Sequence, residues 1–193
     1  MPEKMFLEKI RSDGLSHLSY ILGHQGRAAV IDARRDTNGY IEIARQRQCR
    51  ITHVFETHKN EDYITGSRDL QRRTGAEICH GEGLDWGFGR TVREGDSFEF
   101  GDIRLEVLPT PGHTDESISL VLYDTGSGEY PVAVFTGDAL FLGDVGRTDF
   151  YPDRPDEVAG LLYDSIFQKL LPLGDHVLRS EERRVGKECA TGC

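Results

Sequence analysis

Three segments of the sequence carry histidine or carboxylate side chains directly after apolar runs. His58 lies in the segment THKNEDY, His113 in PTPGHT and Asp138 in TGD. Loops converge where the strands of a layered sheet end, so these three side chains can meet in one cleft. Two imidazoles and one carboxylate that leave coordination positions open form the facial triad of non-haem Fe(II) oxygen chemistry. Spacing alone leaves an alternative open, in which each residue is a cap or an otherwise satisfied polar group.

The elements that position these residues alternate between strands and helices. Apolar runs bounded by polar turns predict strands at 5–10, 18–23, 28–32, 51–56, 77–80, 97–100, 103–108, 117–123 and 132–135. Helical spacing of apolar residues predicts helices at 37–48, 66–74 and 155–171. Residues 132–135 are almost wholly apolar, which predicts a strand buried on both faces. Strand-rich halves with intervening helices indicate a layered mixed α/β domain.

The composition excludes several classes of partner. The chain has 193 residues, which suits one domain, and 23 Lys and Arg against 33 Asp and Glu give a formal net charge of −10. Nucleic-acid binding needs a basic stripe and an anionic membrane repels this charge, so we expect neither partner. The sequence contains no apolar run of about 18 residues and no secretory signal. Because its four cysteines are also few and scattered, we expect a cytoplasmic protein.

The strings around the three candidate ligands resemble the motifs of the metallo-β-lactamase superfamily. A further string, GRTDF at 146–150, is typical of the persulfide dioxygenases (sulfur dioxygenases) of that superfamily. The likeness to these dioxygenases, which include bacterial members fused to rhodanese domains, runs from about Met5 to Leu178. It implies an α/β (α+β) fold, the metallo-β-lactamase-like αββα sandwich.

The last residues depart from this pattern. Residues 179–189 read RSEERRVGKEC, a polar and highly charged run without periodicity. The histidine motif that the superfamily carries just beyond Leu178 is absent. We therefore predict a domain at 1–178 that is truncated at its C-terminus. The tail at 179–193 resembles a translated sequencing adapter and is interpreted as non-native or disordered, with a native solvated tail as the alternative.

Two substitutions decide how the resemblance is interpreted. The first motif of the superfamily usually reads His-x-His-x-Asp-His and helps to build a two-metal hydrolytic centre. Here Asn60 replaces the second histidine and Tyr63 replaces the last one. A zinc centre of the hydrolase type would lose a ligand at each metal position. The single-iron ligand set of the dioxygenases is retained, as His58, His113 and Asp138.

The resemblance therefore implies a catalytic centre of one Fe(II) per chain on these three ligands. The implied substrates are O2 and a low-molecular-weight thiol persulfide, such as glutathione persulfide, and the products are sulfite and thiol. A rhodanese domain in the full-length protein is a further implied partner. The alternatives are a zinc thioester hydrolase of the glyoxalase II type and a non-catalytic fragment of the same fold.

Four further residues are candidates for supporting roles. Arg147 is predicted to bind a carboxylate or phosphate of the substrate, because a guanidinium fork suits both. A salt bridge to Asp144 or Asp149 is the structural alternative for this arginine. Asp62 is predicted to form a hydrogen bond near the ligands, with a helix N-terminal cap as the alternative. Asn60 and Tyr63 could orient water or substrate at the positions without histidine, or fill space.

Overall fold

The first sheet is built from the N-terminal half of the chain. A computed structural model describes residues 5–12, 17–60 and 63–181. Its first sheet has the order β1-β2-β3-β4-β5-β6, with the first three strands antiparallel and the remaining pairs parallel. The strands are β1 (Phe6–Arg11), β2 (Leu18–His24), β3 (Arg27–Ile31), β4 (Arg50–Glu56), β5 (Glu77–Gly81) and β6 (Arg90–Val92).

The second sheet follows in the C-terminal half. Its strands are β7 (Ser97–Phe100), β8 (Ile103–Pro109), β9 (Ile118–Asp124), β10 (Pro131–Gly137) and β11 (Leu178–Glu181), in the spatial order β11-β10-β9-β8-β7. Strands β7 to β10 are antiparallel neighbours, and β11 runs parallel to β10. Residues 133–135 of β10 are buried between two neighbouring strands, which confirms the prediction from their apolar run.

Three α-helices of the described residues cover the outer faces of the two sheets. They are α1 (Asn38–Gln46), α2 (Ser67–Thr74) and α3 (Pro155–Asp164). Helix α2 ends at Gly75, which adopts the left-handed conformation at φ 76°, as its position after the helix predicts. The predicted helix 155–171 is α-helical only to Asp164, because a π-helical segment (Ser165–Leu170) and a 3₁₀ turn (Leu171–Leu173) continue it.

Side-chain alternation along the strands separates three apolar layers. On β2, Tyr20 and Leu22 point between the sheets, whereas Ile21 points toward α1 and α2. On β10, Phe135 points between the sheets and Val134 toward α3. The inter-sheet layer is the largest, and each outer layer joins one sheet to its helices. This arrangement confirms the αββα sandwich.

Two short strands differ from the sequence prediction. Strand β6 was not predicted, because only Val92 of its three residues is buried and no alternation can show in so short a run. Strand β11 reaches Glu181, three residues beyond the boundary predicted at Leu178, and the rest of the predicted tail lies outside the described residues. Within the described ranges, no helix has the length and apolar character needed to cross a membrane.

Candidate metal centre

Three side chains from the ends of three strands converge at one edge of the sandwich. His58 follows β4 of the first sheet, whereas His113 follows β8 and Asp138 follows β10 of the second sheet. Asp138 Oδ2 lies 3.5 Å from His113 Nε2 and 3.8 Å from His58 Nε2. Each of these residues is at most 4% exposed. The structure therefore brings together all three residues that the sequence indicated as ligands.

The donor set suits one transition-metal ion. One ligand atom from each side chain lies within 4.8 Å of the others, and no second cluster of this kind occurs among residues 5–12, 17–60 and 63–181. Bonds of about 2.0–2.2 Å to nitrogen and oxygen place neighbouring donors roughly 3–4 Å apart around one ion. Two imidazoles and a carboxylate accommodate both Fe(II) and Zn(II), so the residues fit a metal without identifying it.

A buried hydrogen-bond chain orients His58. The Thr57 hydroxyl donates to Asp32 Oδ2 at 3.0 Å, and the Thr57 backbone N–H donates to Asp32 Oδ1 at 2.7 Å. His58 Nδ1 lies 3.0 Å from the same hydroxyl oxygen. Because the hydrogen of that hydroxyl is directed to Asp32, its oxygen accepts and Nδ1 is the donor in this contact. The lone pair of His58 is then on Nε2, which faces the other two candidate ligands.

His113 is oriented from the backbone of the GRTDF segment. Its Nδ1 lies 3.0 Å from the carbonyl oxygen of Arg147, which can only accept, so Nε2 again carries the lone pair. Gly112 has φ 136°, and a Cβ there would collide with the backbone of Leu162 on α3. The segment that leads to His113 is thus pressed against this helix.

The π-helical continuation of α3 holds the same segment by two hydrogen bonds. Ser165 Oγ donates to the carbonyl oxygen of Pro111 at 2.7 Å, and Lys169 Nζ donates to that of Pro109 at 2.9 Å. Together with the Gly112 contact, these bonds fix the position of His113 from outside the second sheet.

The loops that carry His58 and Asp138 touch directly. Gly137 adopts φ 52°, and a Cβ there would collide with the Thr57 side chain. Beside this contact, the Ile118 N–H donates to the Thr57 carbonyl oxygen at 2.8 Å and joins the two sheets. A glycine before Asp138 is therefore required by both backbone conformation and space.

Buried carboxyl groups lie behind the candidate ligands. Burial, and then repulsion by Glu56, raise the pKa of Asp32 well above its usual range, against the hydrogen bonds from Thr57. Burial also raises the pKa of Glu56 to about 7, although hydrogen bonds from Ser67 and Thr65 oppose the shift. This side of the centre consequently resists additional negative charge and would be stabilised by a cation.

The supporting candidates have different positions. The amide of Asn60 donates to the Tyr63 hydroxyl at 3.3 Å, and the Tyr63 ring lies 4.2 Å from that of His17. Asp62 lies outside the described residues. Arg147 pairs with Asp149 through both ends of its fork, at 2.6 and 2.7 Å, which is one of the two salt bridges considered for it.

A cleft of about 310 Å³ opens above the two histidines. Leu84, Phe150 and Tyr151 form apolar walls, and Lys59 and Glu116 are its charged residues. None of these five has a predicted role from the sequence, although Phe150 belongs to the GRTDF string. A signal was available for two of them: Lys59 directly follows His58, and Glu116 lies three residues after His113. Likewise, Asp32 ends the apolar run of β3, a position that could have marked it.

The αββα sandwich and the strand-end ligand cluster define a metal-binding class of proteins, and sequence comparison identifies its family. The model of the metallo-beta-lactamase superfamily matches residues 12–185. The chain therefore belongs to the metallo-beta-lactamase superfamily.

Two curated relatives carry different names. The chain is 32% identical over 172 residues to the persulfide dioxygenase ETHE1, mitochondrial, of Bos taurus, covering 83% of this chain and 61% of that protein. It is 37% identical over 111 residues to a hydroxyacylglutathione hydrolase of Brucella anthropi, covering 55% of this chain and 40% of that protein. The chain thus spans less than two thirds of the length of either relative.

Solved structures of similar proteins share the fold. A metallo-beta-lactamase from Staphylococcus aureus subsp. aureus COL superposes with a TM-score of 0.86 at 35% identity, covering 94% of this chain and 56% of that one. ETHE1 from Myxococcus xanthus superposes with a TM-score of 0.82 at 32% identity, covering 94% and 77%.

Removing the Thr57 hydroxyl should weaken metal binding. Thr57→Val keeps the side-chain shape but breaks the chain from His58 to Asp32, so we expect about 10–100-fold lower metal affinity. Thr57→Ser retains the hydroxyl and is the matched control. The measurement is competition with a chromophoric chelator, and equal affinities of the two variants would contradict the proposed role of Thr57.

The raised pKa of Glu56 predicts a pH-dependent stability. Between the unfolded value of 4.5 and the folded value of about 7, the native state retains a proton that the unfolded state has lost. Stability from this group is therefore present below pH 4.5 and falls by about 3 kcal/mol as the pH rises through 7. Urea unfolding of metal-free protein at pH 5 and pH 8 should show this fall in the wild type.

The variant Glu56→Gln cannot titrate at this position. Its unfolding free energy should fall by about 3 kcal/mol less than that of the wild type over the same interval. Glu99→Gln on β7 removes an exposed carboxyl and controls for the loss of one negative charge. The same pH slope in the wild type and in Glu56→Gln would refute the assignment.

Proposed function

We propose that this chain is the metal-binding domain of an iron-dependent persulfide dioxygenase. The main support is the buried cluster of three potential ligand atoms from His58, His113 and Asp138. In addition, Asn60 and Tyr63 occupy two positions where a dinuclear centre needs histidine. The likeness to the bovine persulfide dioxygenase over 83% of the chain supports this choice. The proposed cofactor is one Fe(II) per chain.

Bound Fe(II) would supply the redox chemistry by which O2 oxidises the outer sulfur of a persulfide. The overall reaction balances as RSSH, O2 and H2O giving RSH, sulfite and two protons. A low-molecular-weight persulfide, such as glutathione persulfide, is the proposed substrate. A rhodanese domain elsewhere in a longer protein and a cytoplasmic location remain predictions from the sequence.

The chain's own residues prepare the site for this reaction. Thr57 and the Arg147 carbonyl fix the proton of each imidazole on Nδ1, away from the centre. Phe150 and Tyr151 form apolar walls, which reduce the access of water to the reacting sulfur. Holding two substrates beside each other in one cleft lowers the entropic part of the barrier.

The supporting residues keep their proposed roles with one qualification. The Arg147 guanidinium lies over the Phe150 ring, 4.8 Å from its centroid, at the edge of the cleft. A substrate carboxylate or phosphate would have to compete with Asp149 for this fork. We propose that Asn60, Asp62 and Tyr63 support the ligands or order water at the positions that a second metal would take.

A zinc thioester hydrolase is the second candidate, and a specific observation favours it. The Brucella anthropi hydroxyacylglutathione hydrolase is 37% identical over 111 residues. Hydrolysis of a thioester requires a metal-bound hydroxide, which a two-zinc centre with a full ligand set supplies. The amide and phenol at positions 60 and 63 leave that set incomplete, so we rank this function second.

Metal content and turnover together test the proposal. Protein purified anaerobically should hold about one iron per chain and consume O2 when glutathione persulfide is added. His113→Ala should lose both properties, because it removes one of three ligands. Two zinc ions with thioester cleavage would instead establish the hydrolase. Absence of both metal and turnover would favour a non-catalytic member of the fold.

Restoring the two histidines should create a second metal site. In Asn60→His/Tyr63→His, each of the two metal positions regains one imidazole ligand, which favours binding of Zn(II) at both. We expect metal content to rise from about one to about two ions per chain in excess zinc. Asn60→Gln/Tyr63→Phe carries two changes without new ligands and should stay at one ion. If the histidine variant also stays at one, the two substitutions do not determine metal number.

A further inference from the structure

Glu116 is a buried carboxylate that faces the cleft. Its residue is 4% exposed, and its side chain lines the cleft above the two histidines. One carboxylate oxygen, Oε1, accepts the backbone N–H of Lys59 at 3.0 Å. Among the described residues, no cationic side chain forms an ion pair with it. A buried carboxylate without a cationic partner is costly, so this group is available to a cation that enters the cleft.

Arg154, which lies near Glu116 in the fold, forms its ion pairs with other carboxylates. Arg154 places its fork on Asp115, with distances of 3.0 and 3.3 Å, and also pairs with Glu157. The Asp115 N–H in turn donates to the Tyr151 hydroxyl at 3.0 Å, which fixes that wall of the cleft. The charge of Asp115 is therefore neutralised within the protein, whereas that of Glu116 is directed to the cleft.

Lys59 adds the opposite charge next to Glu116, which accepts its backbone N–H. Its side chain is exposed and lines the same cleft, and among the described residues it forms no ion pair. A cleft with one carboxylate and one ammonium group matches a ligand that carries both charges. Its volume of about 310 Å³ is near the lower end of the roughly 300–1,000 Å³ of small-molecule pockets. A carrier of amino-acid size fits these limits.

We propose that Glu116 selects carrier thiols with a free ammonium group close to the sulfur, and that Lys59 binds their carboxylate. The preferred substrates are then persulfides of α-amino-acid thiols rather than of thiols that are only anionic. The inference rests on the proposed function only in taking the substrate to be a persulfide. Recognition of the ammonium group by Glu116 is a binding property and can be measured without turnover.

Two probes that differ by one group test the selection. Cysteine persulfide and 3-mercaptopropionate persulfide share the carboxylate and the sulfur, and only the first carries an ammonium group. Wild-type protein should prefer cysteine persulfide by at least about tenfold in kcat/KM for O2 uptake, as expected for a charge-assisted hydrogen bond. In Glu116→Gln the two values should agree within about twofold.

The variants separate the charge of Glu116 from its structural contact. Gln retains an oxygen that can accept the Lys59 N–H, so Glu116→Gln removes the charge without removing the acceptor. Glu116→Asp retains the charge and should keep most of the preference. Glu99→Gln, on the exposed face of β7, should leave the preference unchanged. Lys59→Gln should weaken both substrates equally, because both carry the carboxylate.

A binding measurement keeps the inference distinct from the dioxygenase function. Calorimetry with S-methylcysteine and 3-(methylthio)propionate on the metal-loaded protein should show the same preference of about tenfold, and its loss in Glu116→Gln. This preference without O2 uptake would support Glu116 and contradict the dioxygenase. If Glu116→Gln still prefers S-methylcysteine, the metal rather than Glu116 recognises the ammonium group, and the inference is overturned. Equal binding of both probes, or binding of neither, would overturn it as well.

Discussion

The site depends on the contact between the ends of β4 and β10, where the two sheets meet. His58 comes from one sheet, and His113 and Asp138 come from the other, so no single sheet contains the ligand set. Thr57 touches Gly137 in this contact, and its carbonyl accepts the Ile118 N–H of the second sheet. The large apolar layer between the sheets fixes their separation. Packing of the two sheets thus determines the distances of 3.5 and 3.8 Å from Asp138 Oδ2 to the Nε2 atoms of His113 and His58.

Carboxyl groups outnumber cations around this contact. Asp32 and Glu56 are buried behind His58, Asp138 is a candidate ligand and Glu116 faces the cleft. Burial opposes ionisation of the first two, so the folded chain tolerates them at the expense of stability near neutral pH. A divalent cation would offset part of this cost. Metal binding and the stability of this edge are therefore coupled through shared electrostatics.

The sequence predicted most of the fold and the convergence of the three candidate ligands, because both depend on local patterns. Apolar runs located nine of the eleven strands among the described residues; β6 was missed because a three-residue strand has no measurable period, and β11 because its residues after Leu178 are polar and charged. The candidate ligands could be found because each lies shortly after the end of a strand. The positions of Glu116 and Asp32 could have marked these residues, but not their roles, since the roles arise from contacts with Lys59 and Thr57 across 57 and 25 residues of chain. Such pairings exist only after the sheets have packed.

The π-helical segment after α3 has a consequence for how the chain accommodates changes in length. One extra residue in an α-helix rotates every later side chain by about 100°, unless a wider turn absorbs it. Here the wider turn keeps Ile166 and Leu170 on the apolar face while Ser165 and Lys169 reach the segment before His113. Removal of one residue from this turn would restore regular α-helix and shift Lys169 away from Pro109. The length of this helix is therefore constrained, because a change would move the hydrogen bonds that hold the segment before His113.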